Sequence, residues 1–321
     1  MAHTSQRFAT RLNSFRTGRM AGTSVADAIR QVAKVEGIGA VELNYPQHFG
    51  GGTAEVVDLA KAAGLAVTAL NLRYDGPDYA LGAFTHPEAS RREAAIELTL
   101  GAVDTARRHG IDHVILWMGP DGFDQPFQAD YRQLWDWEID GFRRVARHDP
   151  SIRVSVEAKP SDPRRVSIIR SVSDSLLAAR VVGLANFGVT LDWCHVLMAG
   201  EHPAAAAALA LKEGRLFGVH LNDGYGPADD GLPAGTLHLL PLLELLSVLR
   251  RGGFAGTIYF DTFPDRSDPA AECAANVRMV KRLQRVLDRI PEDKLQTLQA
   301  AQDAIGAMRV VNDALLGSFD D

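Results

Sequence analysis

The chain alternates short apolar runs with longer segments of helical periodicity, and this alternation constrains its fold more than any other feature. It predicts parallel strands joined by helices. Eight such pairs precede residue 291, which fits a closed (β/α)8 TIM barrel. A doubly wound sheet is disfavoured because no Gly-rich turn follows the first strand. The predicted strands are 12–16, 39–44, 65–72, 112–118, 152–158, 187–192, 216–222 and 256–261. The predicted helices are about 25–35, 53–63, 88–109, 127–148, 163–180, 202–213, 236–251 and 269–290.

The residues after Pro291 continue beyond the point at which eight units close a barrel. We therefore divide the chain into a barrel, 1–290, and a C-terminal helical extension, 291–321. The extension predicts one further helix with an apolar face. Such a helix packs on its own barrel or reaches a neighbouring subunit, so we expect a homodimer or homotetramer. The face would consist of Leu295, Leu298, Ile305, Met308, Val311 and Leu315.

The composition excludes several classes of function. With 34 Lys+Arg against 40 Asp+Glu, the net charge is -6, which argues against a general nucleic-acid binder. No apolar run approaches the roughly 20 residues of a membrane span, and the polar residues 1–10 lack the apolar segment of a signal peptide. We therefore expect a cytoplasmic protein without membrane contact. The two cysteines are too few for a disulfide framework or a structural zinc site.

The ends of strands five to eight each carry a residue of a type that binds metals. In a (β/α)8 barrel the chemistry lies at the carboxyl ends of the strands. Gathering several carboxylates there costs hydration and causes repulsion, which a divalent cation offsets. Each residue alone is more often a loop cap or a surface charge, so the joint pattern predicts the site. Three carboxylates and one imidazole suit Mn²⁺, Mg²⁺ or Co²⁺. The four residues are Glu157, Asp192, His220 and Asp261.

A second ion is the next expectation, so that one or two ions bind per subunit. His195 and the acidic pair Asp229 and Asp230 could hold it, with Asp192 bridging the two ions. Lys159 follows Glu157 by two positions, so both side chains share one face of strand five.

Other polar and aromatic residues at the strand ends leave alternatives open. Trp117, at the end of strand four, is either a core aromatic at the barrel rim or a wall beneath a sugar ring. Arg73, near the end of strand three, either pairs with Glu42 or binds an anionic substrate group. Asn71 lies on the same strand.

Several segments resemble the xylose isomerase-like barrel superfamily, in the same order along residues 39–290. SVEAKPSDPR (155–164), DWCHVLMAG (192–200) and YFDTFPDR (259–266) resemble metal-site segments of xylose isomerases. GAFTHPEASRREA (82–94) and HVILWMGPDG (113–122) resemble a helix start and strand four of the same family. HLND (220–223) departs from the pattern, because His at its first position resembles L-rhamnose isomerases and ketose 3-epimerases instead.

The resemblance implies roles for the residues identified above. Glu157, Asp192, His220 and Asp261 would hold a structural metal that also binds substrate oxygens. His195 and acidic residues of the 223–230 loop, Asp229 and Asp230 among them, would hold a catalytic metal. Lys159 would contact the substrate carbonyl oxygen, and Trp117 would form a wall of the sugar site. Apart from the resemblance, we predict that Glu157 and Asp261 act in catalysis with Lys159 and that Asn71, Arg73 and His195 contact the substrate. The family's ring-opening His is missing from LNLRYDG (70–76), which points to open-chain, branched or acidic sugars or to another ring-opening residue.

The implied function is a metal-dependent sugar isomerase that transfers hydrogen between C1 and C2 of an aldose and a ketose. Mn²⁺ is the cofactor we expect first, followed by Mg²⁺ or Co²⁺. A ketose 3-epimerase and a non-catalytic sugar-binding barrel are the alternatives.

Overall fold

The computed structural model describes residues 6–50 and 55–317. Eight parallel strands close a barrel, in the order β1-β10-β9-β8-β6-β4-β3-β2, while β5 and β7 form a separate antiparallel pair. This arrangement confirms the predicted (β/α)8 barrel. The strands are β1 (Phe8–Arg11), β2 (Ala40–Tyr45), β3 (Ala66–Leu72), β4 (His113–Leu116), β5 (Gly122–Phe123), β6 (Arg153–Glu157), β7 (Val166–Ser167), β8 (Phe187–Asp192), β9 (Leu216–Leu221) and β10 (Ile258–Phe260).

Helices follow the barrel strands and cover the outside of the barrel. Several begin at the residues that the sequence favours for this role: Ser24, Ser171 and Asp268 each accept a hydrogen bond from a backbone N–H in the first turn. The helices are α1 (Val25–Val32), α2 (Glu55–Ala62), α3 (Ala89–His109), α4 (Tyr131–His148), α5 (Val172–Val182), α6 (Trp193–Met198), α7 (Pro203–Lys212), α8 (Leu239–Arg251), α9 (Pro269–Leu287), α10 (Glu292–Ala300) and α11 (Ala304–Leu316). Among the described helices, none combines the length and the apolar character that a bilayer crossing requires.

The barrel strands are buried on both faces, which explains their continuous apolar runs. Every residue of β8, for example, is buried. Three polar side chains buried in the barrel form hydrogen bonds with one another. Ser155 Oγ lies 2.8 Å from His113 Nε2 and 2.7 Å from Thr190 Oγ1. Burial lowers the pKa of His113 well below its usual value. This histidine is therefore a neutral structural residue.

The predicted first strand, 12–16, is wrong. Residues Leu12–Phe15 form a 3-10 helix, and the strand lies one turn earlier, at Phe8–Arg11. Leu12 and Phe15 are buried, but their spacing of three residues is that of a 3-10 turn, which packs against α1, α9 and β2.

Two other predicted boundaries change. The fifth helix begins at Val172 rather than near 163, because the preceding loop contains β7, which pairs with β5. The single C-terminal helix is two helices, with Gln302 in a left-handed conformation (φ 54°) between them. Ile305 and Met308 are 73% and 52% exposed whereas Leu295 is buried, so the six predicted apolar residues do not share one face.

Candidate metal and sugar site

Four buried side chains meet at the carboxyl end of the barrel. One potential ligand atom from each lies within 4.8 Å of those from the others. Strand register explains part of this convergence, because Asp192 and His220 are partners on β8 and β9. The structure thus brings together the four residues predicted as the first metal set, and we call them the first cluster. They are Glu157, Asp192, His220 and Asp261.

The donor atoms of this cluster fit a divalent cation. Within the described part of the chain, both ring nitrogens of His220 and Oδ1 of Asp261 are buried and make no well-aligned hydrogen bond. Their neighbours are ionic: Glu42 and Glu157 lie within 3.5 Å of the imidazole, and Arg11 lies 3.2 Å from Asp261. Buried polar atoms without partners are costly, and metal coordination is one way to satisfy them. Three carboxylates and an imidazole would bind a cation such as Mn²⁺ through ligands that it favours.

The pKa values of the three carboxyl groups in the first cluster reflect the negative charge that is concentrated there. Burial opposes ionisation of Glu157, but the charges of His220 and His195 outweigh it and lower its pKa to about 2. Burial raises the pKa of Asp192 to about 7, with neighbouring carboxylates adding to the effect. Burial likewise raises the pKa of Asp261. Burial therefore makes the ionised forms of Asp192 and Asp261 less favourable, and a bound cation would offset this cost.

A second cluster adjoins the first and shares Asp192. It consists of Asp192, His195 and Asp229. The Asp192 carboxylate accepts a hydrogen bond from the backbone N–H of His195 (3.0 Å) at the start of α6, and this helical turn carries the imidazole back over the strand end. His195 Nε2 lies 3.2 Å from Asp229 Oδ2, and Nδ1 lies 3.4 Å from Glu157 Oε1. Burial opposes protonation of His195, but the charge of Asp192 raises its pKa to about 9.

The structure separates the two adjacent acids of the following loop. Asp229 faces the second cluster, whereas Asp230 accepts a hydrogen bond from the backbone N–H of Tyr225 (2.7 Å) and contributes to neither cluster of the described residues. Asp223, at the other end of the loop, accepts hydrogen bonds from His238 and nearby backbone N–H groups. The loop is therefore anchored by Asp223 and Asp230 and presents Asp229.

Lys159 lies beside the second cluster. Its ammonium group is 3.0 Å from Asp229 Oδ2 and 3.3 Å from Asp162 Oδ2. Burial opposes its charge, but the two carboxylates outweigh this and raise the pKa of Lys159, which is protonated. The Nζ atom also lies 5.8 Å from the centre of the Trp117 ring. Lys159 thus presents a positive charge between the cluster and the aromatic side chain.

The half-buried ring of Trp117 lines one side of the barrel mouth. A Cβ atom at Gly119 would lie only 2.2 Å from the ring, so glycine is required there for the ring to occupy this position. The Arg73 guanidinium lies 5.2 Å from the ring centre. The ring is therefore flanked by two cationic side chains.

Glu42 contacts Asn71 and His220 rather than Arg73. Its Oε2 atom accepts a hydrogen bond from Asn71 (3.0 Å) and lies 3.2 Å from His220 Nε2. The sequence placed Glu42 at a strand end but did not connect it with His220, because β2 and β9 are not neighbours in the barrel. Among the residues that the structure describes, none bonds to the buried Oδ1 atom of Asn71.

Arg11 is a site residue that the sequence reasoning missed. It ends β1, and its Nε atom lies 3.2 Å from Asp261 Oδ1. A strand ending at Arg11 would have indicated it, since Phe8 and Ala9 are apolar and precede this charged residue. Because the first strand was predicted at 12–16, Arg11 fell outside any predicted strand end.

Comparison with known proteins agrees with this architecture. The family model of the xylose isomerase-like TIM barrel matches residues 29–283. Xylose isomerase of Thermus thermophilus is 27% identical over 201 residues, which are 61% of this chain and 52% of that enzyme. Xylose isomerase of Streptomyces lividans is also 27% identical, over 62% of this chain and 54% of that enzyme. The solved structure of D-allulose 3-epimerase from Methylomonas sp. superposes with a TM-score of 0.69 at 17% identity, covering 86% of this chain and 97% of that one.

The chain belongs to the xylose isomerase-like TIM barrel family. It spans about half the length of the curated relatives it matches. At 17% identity, the likeness to the epimerase structure shows the fold alone.

Proposed function

We propose that this protein is a metal-dependent sugar isomerase that interconverts an aldose and a ketose by hydrogen transfer between C1 and C2. The observation that carries the proposal is the pair of adjoining clusters that share Asp192, with the Lys159 ammonium group beside them. Two neighbouring cation sites suit a substrate that offers vicinal oxygens. The relatives named xylose isomerase support the same reaction class.

The proposed cofactor is a divalent metal, Mn²⁺ first and Mg²⁺ or Co²⁺ next. Glu157, Asp192, His220 and Asp261 would hold one ion, and Asp192, His195 and Asp229 a second. When bound, such ions polarise carbonyl and hydroxyl oxygens as Lewis acids.

The chain's own residues supply orientation and charge. The protonated Lys159 donates a hydrogen bond to the substrate carbonyl oxygen and stabilises the negative charge that develops there. Trp117 provides an apolar wall for the carbon chain, and Asn71 offers its free carbonyl oxygen to a hydroxyl group. A hydride shift needs no carboxylate as a base at carbon, which is compatible with carboxylates that are engaged as ligands.

Epimerisation at C3 of a ketose is the second candidate, and one observation favours it. Glu157 and Asp261 approach the same point from β6 and from the end of β10, and two carboxylates could remove and return a proton. Against this role, Asp261 Oδ1 already lies beside Arg11. A sugar-binding barrel without catalysis is disfavoured because simple binding does not require two clusters of metal-type ligands.

Turnover in D₂O distinguishes the two reactions. The protein is treated with EDTA, reloaded with Mn²⁺ and incubated with a panel of aldoses and ketoses while proton NMR follows the products. For the isomerase we expect aldose–ketose interconversion with little deuterium at carbon. Rapid deuterium incorporation at C3 of a ketose would establish the epimerase instead. No turnover of any sugar with Mn²⁺, Mg²⁺ or Co²⁺ would refute both enzymes.

A further inference from the structure

Charged side chains are unevenly distributed around the barrel mouth, although Glu42 of β2 lies on the same side as the arginines. The acidic clusters occupy the side formed by β6 to β10, whereas three arginines lie on the side formed by β1 to β3. Arg11 ends β1, Arg16 follows the 3-10 helix after it, and Arg73 follows β3. Arg11 shares its charge with Asp261. Among the described residues, no carboxylate lies within ion-pair distance of Arg16 or Arg73, and the guanidinium of Arg73 donates only to its neighbour's backbone carbonyl, Leu72 O (3.2 Å).

Two carboxylates lie near these arginines, and both have other partners: Glu42 contacts Asn71 and His220, and Asp261 pairs with Arg11. The polar side chains that surround His48 are neutral. Nδ1 of His48 accepts a hydrogen bond from the backbone N–H of Asn44 (3.0 Å), so Nε2 carries the proton and donates to Asn13 Oδ1 (2.8 Å). Burial and the charges of Arg16, Arg73 and Arg11 lower the pKa of His48 to about 3. The amide groups of Asn13 and Asn44 both donate to Gln47. This neutral polar network supplies no negative charge to Arg16 or Arg73.

Arg73 is the member of the group that faces the proposed reaction site. Its guanidinium lies against Trp117, whose ring also borders Lys159, and it is half-buried. The charge of Arg73 also contributes to the electrostatic field at Glu157. A guanidinium has no lone pair with which to accept a proton, so Arg73 can bind an anion but cannot act as a base.

We propose that the arginine side of the mouth binds an anionic group of the substrate, a carboxylate or a phosphate, while the sugar's oxygens face the acidic clusters. This inference rests on the proposed function and adds the class of substrate, an acidic or phosphorylated sugar. The planar guanidinium of Arg73 binds carboxylate and phosphate oxygens in pairs, and the contact with Trp117 holds its plane. A neutral sugar would leave this partly desolvated cation without a partner.

Matched ligands test the proposal. Isothermal calorimetry compares aldonates with the corresponding alditols, over a panel of five- and six-carbon configurations, because each pair differs only in the carboxylate. Alditol phosphates form the second arm, and inorganic phosphate serves as the probe for an anion alone. We expect at least one carboxylate or phosphate ligand to bind about 10- to 100-fold more tightly than its alditol, as one charge-assisted contact implies. The arm with the larger preference identifies the anion.

Variants attribute the preference to Arg73. Arg73→Gln should abolish it, and Arg73→Lys should retain part of it. Arg108→Gln, which removes the same charge near the end of α3 and outside the mouth, should leave it unchanged. A preference that persists in Arg73→Gln would show that the anion binds elsewhere, for example to the metal, and would overturn the proposal. So would the absence of any preference in the wild type.

Turnover separates this inference from the function on which it rests. Isomerisation of a neutral sugar with equal kcat/KM in the wild type and Arg73→Gln would retain the isomerase and refute the anionic substrate. An Arg73-dependent anion preference without turnover of any sugar would retain the binding site and refute the isomerase.

Discussion

Lys159 has two possible roles, in catalysis or in balancing the charge of neighbouring carboxylates, and its variants distinguish them. Its contacts with Asp229 and Asp162 suit a structural ion pair, while its position beside Trp117 suits contact with a substrate oxygen. We expect Lys159→Met to retain its metal, because a competing cation is removed, and to lose about 10²–10³-fold in kcat, the usual cost of one charge-stabilising donor. Elemental analysis and kcat at saturating metal would be measured on one preparation.

The matched control is Lys61→Met, which removes an exposed lysine on α2 that donates to the His109 carbonyl. This control should leave both quantities unchanged. Full metal occupancy of Lys159→Met with kcat within a few-fold of wild type would show that the lysine has no catalytic role. A loss of activity in proportion to lost metal would assign it to charge balance alone.

Two adjacent acids provide a test of the second cluster. Asp229 contacts His195 and Lys159, whereas Asp230 bonds to the loop backbone. We expect Asp229→Asn to weaken binding of the second Mn²⁺ by about tenfold or more, because one charged ligand is lost, while the first ion still binds. Asp230→Asn should change loop stability and leave both affinities within about twofold. Calorimetric titration of EDTA-treated protein measures both, and equal affinities in the two variants would contradict the assignment.

Among the elements, the barrel strands were the easiest to predict. Burial on both faces gives each a run of apolar residues that helices do not share, so β8 and β9 lie close to their predicted positions. β1 is only four residues long and passes directly into a buried 3-10 turn, so its apolar pattern could not locate its end. The break between α10 and α11 falls at Gln302, where neither Gly nor Pro marks a helix end.

Within the candidate site, the sequence predicts those residues that lie at the ends of strands. The first cluster follows from four strand-end residues, since a closed parallel barrel brings such ends to one rim. The contact between Glu42 and His220 could not be predicted, because it spans strands that are not paired in the barrel. The different roles of Asp229 and Asp230 depend on the conformation of one loop, which their adjacent positions in the sequence do not reveal.

α4 contains a buried acid that links stability to pH. Glu138 is fully buried, and no donor group of the described residues bonds to its carboxylate oxygens; its side chain bonds instead to the carboxyl group of Asp121. Burial, together with the charge of nearby Asp121, raises its pKa well above the usual 4.5. Asp121 in turn accepts hydrogen bonds from the backbone N–H groups of Ala83, Phe84 and Thr85, a segment close to the barrel mouth.

The sign of the pH effect follows from the raised pKa of Glu138. Above pH 4.5 the unfolded chain loses this proton while the folded protein keeps it, so the free energy of unfolding falls as pH rises toward the folded-state pKa. Glu138→Gln removes the ionisable group at nearly constant size. We expect its unfolding free energy to fall less than that of wild type between pH 5 and 9, as measured by urea titration. Glu97→Gln, a change on α3, is the control, and parallel pH profiles for Glu138→Gln and wild type would contradict the interpretation.

At the scale of the whole molecule, only part of the C-terminal extension packs against its own barrel. Leu295 and Val310 are buried against it. Ile305, Met308 and Leu316, in contrast, are 73%, 52% and 69% exposed and all belong to α11. Apolar side chains gathered on one helix at the end of a closed barrel are typical of a contact between subunits.

We therefore expect a homodimer or homotetramer that depends on α11. Removing the whole extension would also delete buried residues such as Leu295 and Val310, so point substitutions give the sharper test. Ile305→Gln/Met308→Gln should yield monomers, because the change makes the exposed face polar and keeps residues compatible with a helix. Leu177→Gln/Leu209→Gln alters two equally exposed leucines on α5 and α7 and should leave the assembly intact. Size-exclusion chromatography with light scattering measures the mass of each protein. A monomeric wild type would refute the expected interface, and so would an unchanged mass of Ile305→Gln/Met308→Gln.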